Sequence, residues 1–268
     1  MTSRTALSRL LCSYDTDLDS QAAVALHVEV AGNAAEQPVH HHRKGQLVLA
    51  LHGSVTCEVP QALWMVPPQH AVWIPGGLPH SNRATDNARI CFLFIEPDAA
   101  RMPAHCCTLA ISPLVRELVL HLAARGEGSA GSAGSAGSAA RVVDLLLELL
   151  VAAPVQQLHL PISDHPKIRH MADALGRDPS DRTPLAQWGE RLAMSERSLA
   201  RLVAHETGLT FGRWRQQLHI LIALRQLSEG ATVQQVAGNL GYDSVTAFIT
   251  MFKKALGQPP GRYFSALK

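Results

Sequence analysis

Between residues 24 and 97 the apolar positions fall in short runs, ALHVEV, QLVLALHGSVTCEV, ALWMVPPQHAVWIP and ARICFLFIEP, rich in β-branched, aromatic and leucine residues. Gly and Pro punctuate them at roughly ten-residue spacing, the pattern of short strands in a small antiparallel barrel or jelly roll. From Ile111 the period lengthens to that of a helix. In SPLVRELVLHLAAR, Leu114, Val115, Leu118 and Leu122 share a stripe behind a candidate N-cap, Ser112. ARVVDLLLELLVAA predicts a second helix, amphipathic because Asp144 and Glu148 interrupt it at helical spacing. Between them lie four GSA triplets, residues 128–139, with too little side chain to pack, so they predict a flexible loop. The apolar faces of this hairpin either pack on the barrel, pair with a second subunit, or do both. LHLPISDHP breaks the pattern, and beyond Lys167 the chain is helical apart from short turns.

The fold class is therefore α+β: a barrel over 1–110, a hairpin over 111–153, a linker over 154–166 and an all-α domain over 167–268. A length of 268 residues suffices for two cores. No apolar run reaches a membrane span, and the polar start MTSRTALSRLLCSYDTD offers no secretory core, so the expected location is the cytoplasm. Five cysteines (Cys12, Cys57, Cys91, Cys106 and Cys107) with no CxxC spacing fit reduced thiols, with the vicinal pair Cys106-Cys107 as a candidate redox sensor. The net charge of +2 is unevenly spread. Residues 160–268 hold 14 Lys/Arg against 9 Asp/Glu, whereas residues 1–159 hold 10 against 13. A polyanionic partner is therefore expected for the C-terminal part.

That part carries one arrangement twice. In TPLAQWGERLAMSERSLARLVAHETG, Thr183 and Pro184 start a short helix with Leu185, Trp188 and Leu192 inward; a turn falls near Ala193-Met194. Ser195 caps a second helix whose Leu199, Leu202 and Val203 face inward, leaving Glu196, Arg197, Ser198, Ala200 and Arg201 outward. SEGATVQQVAGNLGYDSVTAFITMFKKALGQPPGRYF repeats the parts: Val233, Val236 and Leu240 inward, a Gly-Tyr-Asp turn, and a helix opening at Ser244. Ala247, Phe248, Met251 and Phe252 form its inward stripe, with Val245, Thr246, Thr250, Lys253 and Lys254 outward. A helix over roughly 211–228 joins the two units, which span about 184–206 and 232–256. Two helix-turn-helix motifs on one rod suit adjacent major-groove segments about one helical turn (~34 Å) apart.

These residues resemble the DNA-binding domain of the AraC/XylS family of bacterial transcription regulators, above all through the G-Y-x-S turn, the F-x-x-x-F-K spacing and G-x-x-P-x-x-Y/F. The resemblance implies base-reading and phosphate-contacting positions at Arg197, Ala200 and Arg201, and at Val245, Thr246 and Thr250. Ala200 offers only a methyl, for instance to thymine. The second helix has no long polar reader there, which suggests phosphate contacts through Ser244, Lys253 and Lys254. Ser195 and Ser198 complete the expected DNA-facing set.

The stretch VHHHRKGQLVLALHG resembles the first box of the cupin barrel, in the variant such regulators use as a sensor: His40, His42, Gln46 and Gly53 stand at its positions. Pro75, Gly77 and His80 match the second box. The resemblance implies a pocket lined by His40, His42, Gln46 and His80, and a candidate site for a divalent transition metal at the three histidines. Two departures matter. Gln46 replaces a carboxylate, and Ala84 stands where the second box ends in Asn. His41 alternates outward, and His52 and His70 are expected to be strand or turn residues. The expected function is a ligand-responsive, homodimeric regulator that binds promoter DNA and contacts RNA polymerase. The rivals are a metal-dependent cupin enzyme with an appended helical domain, and a constitutive DNA-binding protein whose barrel only dimerises.

Overall fold

The computed structural model describes residues 16–30, 36–66, 70–85, 88–126, 133–156 and 158–265. Cys12 lies outside them. The chain forms two compact units, Met1–Pro60 with Trp64–Leu158, and Gln61–Leu63 with His159–Lys268.

The first unit is built on two antiparallel sheets, the expected jelly-roll arrangement. Its strands are β1 (Ala23–Glu29), β2 (Glu36–His40), β3 (Gly45–His52), β4 (Val55–Val59), β5 (Ala62–Met65), β6 (His70–Ile74), β7 (His80–Ala84), β8 (Arg89–Ile95), β9 (Cys107–Ala110) and β10 (Val155–Gln156). One sheet runs β1-β8-β3-β6-β9-β10; the other contains β5-β4-β7-β2. The period of two decides which side each residue serves. Leu47 and Leu49 on β3, with Ala71, Trp73, Cys91, Leu93 and Ile95, pack outward under the helical hairpin. Gln46, between them in parity, is buried on the opposite face, toward the second sheet.

The hairpin consists of α1 (Pro113–Gly126) and α2 (Ala133–Val151). It packs on the outer face of the six-stranded sheet through Val115, Val119, Ala123, Leu146, Leu147 and Leu150. Three expectations are corrected here. The buried stripe of α1 runs through Val115, Val119 and Ala123, while Leu114 is 53% exposed. Val115 keeps its expected place, and Leu118 and Leu122 pack half-buried against the same core. The second half of the GSA tract is not a loop, since α2 begins at Ala133. Once the apolar half is packed, each further turn costs little, and alanine is the best helix former. Residues 128–132 of the tract lie outside the described residues. The stretch 154–166, read as a linker, holds β10 and β11 (His159–Pro161), because β9 and the 61–63 turn leave edges that an extended chain can pair with.

The second unit is helical: α3 (Pro166–Arg177), α4 (Leu185–Arg191), α5 (Glu196–Thr207), α6 (Phe211–Ser228), α7 (Val233–Asn239), α8 (Val245–Leu256) and α9 (Pro260–Ser265). The rod, α6, is buried on every side from Leu218 to Leu224. Trp214 Nε1 donates to Pro161 O at 2.9 Å and Gln217 Nε2 to His159 O at 2.7 Å, fixing β11 along it. No described helix is long and apolar enough to cross a membrane.

Candidate nucleic-acid interface and histidine cluster

The two helix pairs, α4–α5 and α7–α8, share one backbone device. In the first, Leu192 N donates to Trp188 O at 3.0 Å, Ala193 adopts φ 51°, and Met194 N donates to Gly189 O at 2.8 Å. In the second, Leu240 N donates to Val236 O at 3.0 Å, Gly241 adopts φ 69°, and Tyr242 N donates to Ala237 O at 2.9 Å. The left-handed residue reverses the chain, and the next helix opens on a serine: Ser195 Oγ accepts from Ser198 N at 3.2 Å, and Ser244 Oγ from Ala247 N at 3.1 Å. Thr183 is not the cap of α4. Pro184 occupies that position without a side-chain bond, and the Thr183 amide donates to Asp181 Oδ1 at 2.7 Å.

Leu199 and Val203 anchor α5, and Phe248 and Phe252 anchor α8, all fully buried. Arg197, Ser198 and Arg201 stand exposed on α5, with Ala200 half-buried. The hydroxyls of Ser195 and Ser198 bond each other at 2.9 Å. On α8, Thr246, Thr250, Lys253 and Lys254 are exposed, and Thr250 Oγ1 donates back to Thr246 O at 2.9 Å. Val245 is half-buried, and Ala247, expected inward, is exposed because the two phenylalanines fill the space against Tyr242 and Tyr263. The exposed tips thus carry arginine on the first motif, and threonine and lysine on the second.

In the first unit, β2 and β7 pair so that His40 faces His80, and the ring centroids lie 4.3 Å apart. His42, on the turn into β3, brings its ring 5.1 Å from His80, edge-on to Phe94 at 5.3 Å. One ring nitrogen from each lies within 4.8 Å of the others. Each Nδ1 faces a backbone carbonyl two residues away: Pro38 O at 2.8 Å, Lys44 O at 2.6 Å and Leu78 O at 2.8 Å. A carbonyl only accepts, so these contacts place the proton on Nδ1 and leave every Nε2 as a lone pair. Burial pushes the His80 imidazole down to about 4, against a smaller opposing pull from Leu78 O, and also lowers His40. Gln46, 1% exposed, sets Oε1 3.0 Å from His42 Nε2 and 3.3 Å from His80 Nε2, while its own Nε2 has no partner. Lone pairs therefore face lone pairs at the centre. Among the described residues no carboxylate joins the group. His41 and His52 are exposed and His70 is half-buried, and none of the three joins the group.

Cys57, Cys91, Cys106 and Cys107 are thiols. Burial pushes Cys106 up to about 12 and Cys107 to about 11, which keeps them protonated and sluggish as nucleophiles and does not favour a redox sensor there.

Residues 188–266 match the helix-turn-helix domain family. The chain is 55% identical to the HTH-type transcriptional regulator NimR of Escherichia coli (strain K12), over 96% of its own length and 93% of that protein. It is 30% identical to an AraC-like transcription regulator of Streptomyces lividans, over 44% of this chain and 42% of that one. Among solved structures, ToxT from Vibrio cholerae O395 aligns over 92% of this chain and 98% of its own, at 11% identity and a TM-score of 0.40.

Proposed function

For a chain that belongs to the AraC/XylS family of transcription regulators, we propose that the histidine cluster is the effector site, that its ligand is a divalent transition cation, and that occupancy adjusts how a pair of chains grips promoter DNA. The observation that supports the cation is the tautomer lock: three imidazole lone pairs and one amide oxygen converge with no donor among them. Turning the Gln46 amide satisfies two of those nitrogens. A cation satisfies all four atoms, and imidazole suits Zn, Ni, Co, Cu and Fe. The backbone carbonyls that hold each Nδ1 are the supports metal-binding histidines ordinarily have. A neutral Gln46 in place of a carboxylate leaves the cluster without the anionic ligand of a three-histidine, one-carboxylate set, which favours recognition over turnover.

At the other end, Arg197 and Arg201 read base edges, Ala200 offers a methyl, and Lys253 and Lys254 hold phosphates. The exposed Leu114, Leu145 and Val151 give the hairpin an apolar outer face for a second copy. Ligand binding favours one arrangement of the paired chains and so shifts operator occupancy and contact with RNA polymerase. Metal analysis of the purified full chain, with duplex-DNA binding in chelator and in added Zn, Ni or Co, tests this. Stoichiometric metal that His40→Ala and His80→Ala remove, together with metal-dependent DNA affinity, is the expected result. A chain that takes up no metal and binds DNA identically in chelator would refute the sensing half and leave the DNA-binding half standing.

A further inference from the structure

The segment joining α3 to α4 touches both helix-turn-helix motifs and the rod within four residues. Asp181 lies 3.7 Å from Arg191, whose guanidinium covers the Trp188 ring at 4.9 Å, inside the first motif. The next residue points the other way. Arg182 donates to Gly241 O in the turn of the second motif, lies 5.7 Å over the Tyr242 ring, and sits 3.7 Å from Asp243. Thr183 O then accepts from Arg215 on α6 at 3.4 Å. The backbone fits as closely: a Cβ on Gly241 would lie 2.8 Å from Ser180 O. From below, His219 Nδ1 on the rod meets Tyr242 Oη at 3.2 Å, so the turn is held between strap and rod.

The first turn is gripped comparably, by Lys167 Nζ donating to Leu192 O at 2.7 Å. Each turn thus has a cation on a carbonyl, but only the second is gripped by a residue whose neighbour also pairs with the first motif. Helix α8 opens three residues beyond Gly241, so the direction of that turn is the direction of the second reader.

We propose that Arg182 is a positioning residue which fixes the second reading helix against the first, so that residues 180–183 set the spacing of half-sites the protein accepts. This goes beyond the identification of the readers, since Arg182 is on neither motif. Duplexes enriched by the wild-type full chain from a randomised library are the probe. Footprints and affinities are then compared for wild type, Arg182→Ala and Arg182→Lys, on the enriched site and on the same site with one base pair inserted between its halves.

For Arg182→Ala the expected result is about a tenfold loss on the enriched site. Protection should fade over the second half only, and the penalty for the inserted base pair should shrink. Its dependence of affinity on salt should match wild type, because no phosphate contact is lost. Arg182→Lys keeps the charge and a donor but not the planar stack, so it should fall between, and it decides the matter where the alanine variant does not fold. Three outcomes would overturn the proposal: both halves weakening together with a salt slope lower by about one, the sign of a simple phosphate contact; a variant indistinguishable from wild type; or a wild-type chain that enriches no sequence, which would remove the DNA-binding reading with it.

Discussion

Arg197 and Arg201 stand one turn apart on the exposed side of α5, on a helix whose other side is sealed by Leu199 and Val203. Either arginine changed to alanine should cost about 1–3 kcal/mol on a preferred operator and relax base choice at its own position, as read by binding to single-base variants. Lys253→Ala should instead weaken every duplex alike and lower the salt slope by about one. His219 predicts a pH effect. Burial, and then Arg215 and Arg182, push it down to about 4 from an ordinary 6.5. As pH falls from about 6.5 toward 4, the unfolded chain takes a proton that the folded one refuses, so stability present at neutral pH is lost in acid. The slope is at most about 1.4 kcal/mol per pH unit, and His219→Gln should flatten it in urea unfolding compared at about pH 7 and pH 5. The exposed positions of α5 and α8 and the histidine cluster could be anticipated from the sequence because they sit in fixed spacings with glycine and proline. Arg182 and His219 could not, since what makes them matter is a neighbour 59 or 23 positions away in the chain.

At the scale of elements, the two motifs were legible because capping chemistry is local. Ser195 and Ser244 precede their helices and bond the amide three residues on, and Thr232 adds a reciprocal bond with Gln235. Ser195→Ala should therefore cost about 1 kcal/mol, visible as a lower unfolding midpoint, with α8 unaffected. The departures were non-local. The GSA tract reads as a loop by composition, yet its second half continues α2, whose anchorage comes from Leu146, Leu147 and Leu150 on the sheet. The buried stripe of α1 moved by one position for the same reason: periodicity gives a face about 100° wide, and the partner surface chooses where within it contact falls. For Gln46 the sequence indicates both a pocket position and a lost charge; its placement beside two Nε2 atoms is what puts an uncharged oxygen at the cluster.

For the whole molecule, the separation of charge matches the division of structure. The basic part is the helical unit, and the histidine cluster lies in the acidic one. DNA affinity should accordingly fall steeply and linearly on a log scale with salt. The outer face of the hairpin supplies the other expectation. Leu114→Glu combined with Leu145→Glu should leave the barrel folded and move the sedimentation coefficient toward a single chain; an unchanged value would place the pairing surface elsewhere. Helix α6 carries a different kind of consequence. A rod sheathed from Leu218 to Leu224 has almost no amide that solvent reaches without the surrounding helices coming away, so its hydrogens should exchange last in the unit. Cleaving the chain between the motifs would then not yield two working halves, because neither half could keep that rod dry alone.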